Sequence, residues 1–171
     1  TDYYQGYVLS AAVEQRTEFA LRPVPGRKCS VRLFKDGTLA EFDLDDMDKP
    51  VPGDWSNYVK GVVARLRKRG IEVGAFEAGL QSTVPMSAGM SSSAALEISA
   101  AFAMGEAFGI ELPKAEWARI GQECENEYVG VKTGLLDQFS SIFGRKNSLI
   151  LCDFRKVEVL KNVTLPSGYV I

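Results

Sequence analysis

Strand-type runs crowd into the first third of this chain and helix-type runs follow, and that segregation constrains the fold more than any other feature. "GYVL" (6–9), "TEFAL" (17–21), "CSVRLF" (29–34) and "TLAEFDL" (38–44) are short and rich in strand-forming residues. The last alternates apolar and acidic residues, as a half-buried strand does. A loop with two prolines and a glycine, "DDMDKPVPGD", closes the series. Trp55, Tyr58, Val59, Val62, Val63 and Leu66 then recur at three- and four-residue steps, predicting a helix over 55–69 with Asp54 as N-cap and Gly70 as stop. A strand over 76–84 leads to a second helix over 92–108 that ends at Gly109. Pro113 opens a third helix through Val129, proline being favoured at the first helical position. A fourth runs 134–143 and stops at Gly144, and strands over 149–154 and 157–160 follow. Strands and helices are separated more than alternating, which predicts α+β. The chain opens on "TDYYQGYVL" and stops on "GYVI" in strand-like sequence, so 171 residues are expected to be a portion of a longer polypeptide.

Between the 76–84 strand and the second helix lies "MSAGMSSS", with Ser87, Ala88, Gly89, Met90, Ser91, Ser92 and Ser93. Small residues at a helix start leave backbone N–H groups free to meet an anion, and the helix dipole adds ~0.3–2 kcal/mol. The loop lacks the Gly-Lys-Ser/Thr of a Walker motif and the three-glycine spacing of a dinucleotide fingerprint. The other reading is a serine N-cap whose small neighbours let the helix pack tightly.

Histidine is absent, which removes Ser-His-Asp and Cys-His nucleophile systems and the usual zinc sites from this stretch. Cys29, Cys124 and Cys152 are odd in number and widely spaced, which predicts reduced thiols in a cytoplasmic protein. Net charge is −2, so composition makes no case for nucleic acid. The basic run "RLRKRG" (65–70) is read as complementing a helix dipole. The most apolar stretch, 93–110, is interrupted by Glu97 and Glu106 and reads as a packed helix, not a membrane span. Two carboxylates remain. Glu125 lies late in the third helix, where a solvated helix face is the plain reading. Asp137 lies in the first turn of the fourth, where an acid complements the dipole. On that helix Leu135, Leu136, Phe139, Ile142 and Phe143 form the expected buried stripe, with Asp137, Gln138 and Ser141 facing away.

Taken in order, "TDYYQGYVL", "WSNYVKGVV", "PMSAGMSSSAALE" and "ENEYVGVKTGLLDQFSS" resemble galactokinases, in the superfamily that includes mevalonate and homoserine kinases. The resemblance spans essentially the whole chain and implies the N-terminal, nucleotide-binding part of such a kinase, residues 1–171, with a ribosomal-protein-S5-like α+β fold. It implies that Ser87 to Ser93 wrap the phosphates of ATP and that Ser93 and Glu125 hold Mg2+. Asp137 matches the catalytic aspartate, Gly134 a backbone contact to the sugar, and Asp2 an aspartate that bonds sugar hydroxyls. Trp55 and Tyr58 correspond to the adenine pocket, although helical spacing also explains them as core. The implied reaction moves the γ-phosphoryl group of ATP to the anomeric hydroxyl of a sugar. Asp137 would accept the hydroxyl proton late or orient the hydroxyl. Ser87, Met90, Asn126 and Tyr4 depart from residues common in the family, which leaves kinases for N-acetylgalactosamine or L-arabinose, and a non-catalytic sugar sensor, as alternatives.

Overall fold

Alternating apolar residues give strands β1 (Tyr7–Ala11), β2 (Thr17–Pro23), β3 (Lys28–Leu33), β4 (Leu39–Asp43) and β5 (Phe76–Ser82), with β6 (Ser148–Asp153) and β7 (Glu158–Thr164) late in the chain. The computed structural model describes residues 5–47, 49–85, 88–166 and 168. Asp2, Tyr4 and Ser87 lie outside the described residues.

The strands form two sheets, β2-β5-β3-β4 and β1-β6-β7. β5 is central in the first, antiparallel to β2 through Phe19↔Leu80 and parallel to β3 through Val31↔Ala78. The second is antiparallel throughout, with Leu9 opposite Leu151. Alternation sets what each strand buries: on β3, Cys29 and Val31 point inward while their neighbours do not.

Helices α1 (Asn57–Lys68), α2 (Ser92–Phe108), α3 (Lys114–Glu123) and α4 (Leu136–Phe143) supply the rest of the core. Val59, Val62, Val63 and Leu66 of α1 are fully buried with Phe76 and Val31 from the sheet. Each such side chain contributes ~1.5–3 kcal/mol by leaving water. α2 is apolar on most of its circumference, as a helix enclosed by others must be, and buries Ala94, Ile98, Ala100, Ala101 and Met104. Among the described residues no helix is long and apolar enough to cross a membrane.

The architecture is α+β, as expected, but five local expectations are corrected. Asp54 does not cap α1 at its first helical residue. Its carboxylate takes the Ser56 N–H at 2.8 Å and the Ser56 hydroxyl at 2.6 Å, so it caps an extra turn that precedes the helix. Pro113 is the N-cap of α3 and not its first residue, because its ψ of 144° is extended; its carbonyl accepts from Glu116 and Trp117. The helix predicted through Val129 changes winding at Cys124, and residues Cys124–Val129 form a π-helix. Finally, Gln138 does not face away from the core but is completely buried. β7 also runs four residues beyond the predicted 157–160 end.

Candidate active site

The turn after β5 takes an unusual backbone path. Gly89 has φ +70° and Ser91, a residue with a Cβ, has φ +55°, so two left-handed residues turn the chain into α2 at Ser92. Ser91 makes no side-chain capping bond; only its carbonyl enters the helix, accepting the Ala95 N–H at 3.0 Å. The serine N-cap is therefore not built, and Ser91 leaves the first-turn amides of α2 uncapped. Ala88 and Gly89 are exposed, and Met90, Ser91, Ser92 and Ser93 are half-buried.

The π-helix decides the fate of Glu125. The Gly130 N–H donates to the Glu125 carbonyl at 2.8 Å, a five-residue span that widens the last turn. Glu125 is left 3% exposed, so the solvated-face reading fails. Its Oε2 accepts the Thr133 hydroxyl at 2.5 Å and the Gln138 amide at 3.0 Å. Thr133 is itself clasped by Asn126, whose Oδ1 accepts the Thr133 N–H at 2.8 Å and whose Nδ2 donates to its carbonyl at 3.2 Å. Gln122 donates to the same carbonyl at 3.2 Å. The segment leading to α4, including half-buried Gly134, is thus anchored to the helix that carries Glu125.

Behind Glu125 sits an acid that, along the sequence, only interrupts an apolar run. Glu97 is fully buried on α2, and Gln138 Nε2 approaches its Oε2 at 3.4 Å. Burial first, and then the nearby Glu125 charge, push the Glu97 carboxyl well above the usual range. Glu97 Oε1 and Gln138 Oε1 are buried without a hydrogen-bond partner. Apart from its place within an apolar run, no local signal in the sequence marks Glu97.

Asp137, in the first turn of α4, lines a cleft of about 530 Å³ together with Gly89, Met90 and Ser91 of the loop. Ser10 at the end of β1 and Arg16 before β2 also line it. Ser140 ties α4 to β1 by donating to the Ser10 hydroxyl at 2.9 Å, which fixes the helix start against that sheet. The structure so brings part of the loop and Asp137 to one cavity. Ala88, Ser92, Ser93, Glu125, Gly134, Trp55 and Tyr58 are not among its lining residues. Trp55 and Tyr58 pack partly buried against the core, as their spacing allows. Burial, and then the charges of Glu125 and Glu97, raise the Tyr58 hydroxyl above its ordinary value.

A carboxylate that lines the same cleft as the residues leading into an uncapped helix start can hold a hydroxyl near an anionic group. For a cation, the Glu125 carboxylate and the Ser93 hydroxyl are oxygen donors of the kind a hard ion takes, and both bonds to Glu125 fall on Oε2. No group of three or more acidic, cysteine or histidine side chains among the described residues could hold a metal by itself. The donor set therefore fits an ion that brings most of its ligands with it.

The relatives carry this geometry to a family. The description "GHMP kinases N terminal domain" matches residues 57–145, just over half of the chain. A galactokinase from Thermotoga maritima is 35% identical over 158 residues, covering 92% of this chain and 43% of that protein. One from Lactococcus lactis is 37% identical, covering 90% and 39%. The chain thus spans about two-fifths of the length of these curated relatives. The crystal structure of Lactococcus lactis galactokinase complexed with galactose superposes with a TM-score of 0.91 at 34% identity, over 97% of this chain and 43% of that one. The mevalonate kinase of Methanococcus jannaschii, with TM-score 0.74 at 20% identity, shares the fold. By the family description matched over more than half of its length and by its likeness to these proteins, the chain belongs to the GHMP kinases and resembles the galactokinases among them.

Proposed function

We propose that this chain is the nucleotide-binding part of an ATP-dependent sugar 1-kinase, acting on galactose to give galactose 1-phosphate. One observation carries the reading: Asp137 and the loop residues Gly89 to Ser91 line the same cleft. The uncapped start of α2 receives the phosphates of ATP, where free amides and the helix dipole oppose their charge. Asp137 takes a hydrogen bond from the anomeric hydroxyl, keeps its oxygen directed at the γ-phosphorus, and receives its proton as the bond to phosphorus forms. Ser93 and Glu125 are the residues that would hold Mg2+, which when bound neutralises phosphate charge. Asp2 and Gly134 hold the sugar, and Trp55 and Tyr58 border the adenine. Such a reaction asks chiefly for positioning, which the clasp of Asn126 and Gln122 on Thr133 gives to the start of α4. The three free cysteines are buried, which suits a reducing cytoplasmic setting.

The test is ADP release by the intact protein with Mg-ATP and a panel of sugars, beside Asp137→Ala. Turnover with galactose that disappears in the variant is the expected result. Turnover with another sugar alone would move the specificity. Mg-ATP binding without any sugar-dependent ADP would replace catalysis with a sugar-sensing role.

A further inference from the structure

Gln138 is a polar side chain with no solvent contact, next in sequence to the residue that faces the cleft. A buried amide costs free energy unless it is bonded, and an apolar side chain would fill the same space without that cost. Its two amide contacts are both to acids: Glu125 Oε2 at 3.0 Å and Glu97 Oε2 at 3.4 Å. A flipped amide would set Oε1 against the Glu125 carboxylate, so the orientation is determined by its neighbours. α3 also presses on it, since a Cβ on Gly121 would lie 2.9 Å from Gln138 Cγ and 3.3 Å from Glu97 Oε2. The absent side chain at Gly121 is what admits the amide. With Thr133 as the second donor, Glu125 has one oxygen restrained by groups from both sides of the segment that starts α4.

We propose that Gln138 is a positioning residue for the cation of Mg-ATP: its amide fixes the Glu125 carboxylate and ties it to the same helix that presents Asp137. This rests on the kinase reading above. Partners that orient a metal-binding carboxylate usually change affinity or activity by about 10–100-fold when removed. The cation and the base are then set by adjacent residues of one helix, and a shift of α4 disturbs both.

The experiment uses the intact protein, with Gln138→Leu and, should that variant fold poorly, Gln138→Met. Mn2+ binding in the presence of a non-hydrolysable ATP analogue is followed by electron paramagnetic resonance, and the Mg2+ concentration for half-maximal turnover is measured alongside. About 10-fold weaker Mn2+ binding or more is expected. Half-saturation by Mg2+ should rise in parallel, excess Mg2+ should restore turnover, and the sugar KM should stay near wild type. A fall in kcat with unchanged Mn2+ affinity and unchanged Mg2+ half-saturation would overturn the proposal. Glu125→Ala separates the two readings. If it weakens Mn2+ binding while Gln138→Leu and Gln138→Met do not, only the positioning role is lost. If the wild type itself binds no cation with the nucleotide, the kinase reading falls and this one with it.

Discussion

Glu97 keeps an acid where an ion is poorly solvated, and the consequence is a pH-dependent stability. Its folded carboxyl is held well above the ordinary value of 4.5, first by burial and then by Glu125. Below that ordinary value both folded and unfolded chains carry the proton, and Glu97 costs nothing. Above it the unfolded chain ionises while the folded one holds its proton, so stability falls by about 1.4 kcal/mol per pH unit until the folded value is reached. Glu97→Gln removes that slope. Its melting temperature relative to wild type, measured in EDTA, should therefore rise as the pH is raised above 4.5; a constant difference would show that Glu97 ionises normally. Ser91 offers a second local test. A side-chain-bearing residue in the left-handed region costs about 1–2 kcal/mol, of which glycine returns part as chain entropy. Ser91→Gly should thus stabilise the protein by up to ~1 kcal/mol in denaturant titrations, and a loss would mean that the hydroxyl itself supports the loop. Neither feature was open to inspection of the sequence. Glu97 and Gln138 sit where helical spacing alone suggests an interruption and a solvent face, because their partners come from three other segments.

At the level of elements, the winding change at Cys124 matters most. A π-turn has no apolar period of its own, so the sequence predicts one uniform helix through Val129 and a solvated face for its glutamate. The helix starts and stops with local chemistry were more legible: Gly70 and Gly109 end α1 and α2 with φ of +74° and +66°, where a Cβ would be strained. The π-helix also presses against α1 at Gly61, where a Cβ would overlap Cys124 Sγ and lie 3.2 Å from Tyr128 Cδ1. In an open helix Gly→Ala gains about 1 kcal/mol, but overpacking here costs ~1–3 kcal/mol and should win. Gly61→Ala is expected to lower the melting temperature. Adding Cys124→Ala should recover part of the loss, giving a favourable coupling in a double-mutant cycle. Additive losses would show that the two helices do not meet there.

Across the whole molecule, the site joins ends that are distant in sequence: the start of α2, the start of α4, and the chain between β1 and β2. The loop and Asp137 were legible as candidates, since each lies at a helix start with its own local signature. The wall formed by Ser10 and Arg16 was not, because only the packing of two sheets and α4 brings it there. Net charge is −2, so no general attraction draws in a nucleotide, and the proposed function assigns its binding to the loop and a cation. This separates binding from chemistry. Mg-ATP at about 100 times its Kd should stabilise the intact protein by about 2.7 kcal/mol in a thermal shift, and ATP with EDTA by less. On the proposed function, in which its carboxylate serves the hydroxyl and not the phosphates, Asp137→Asn should keep the full Mg-ATP shift while losing turnover. An Asp137→Asn protein that no longer responds to Mg-ATP would instead place that carboxylate in the nucleotide site, and the hydroxyl would need another partner in the cleft.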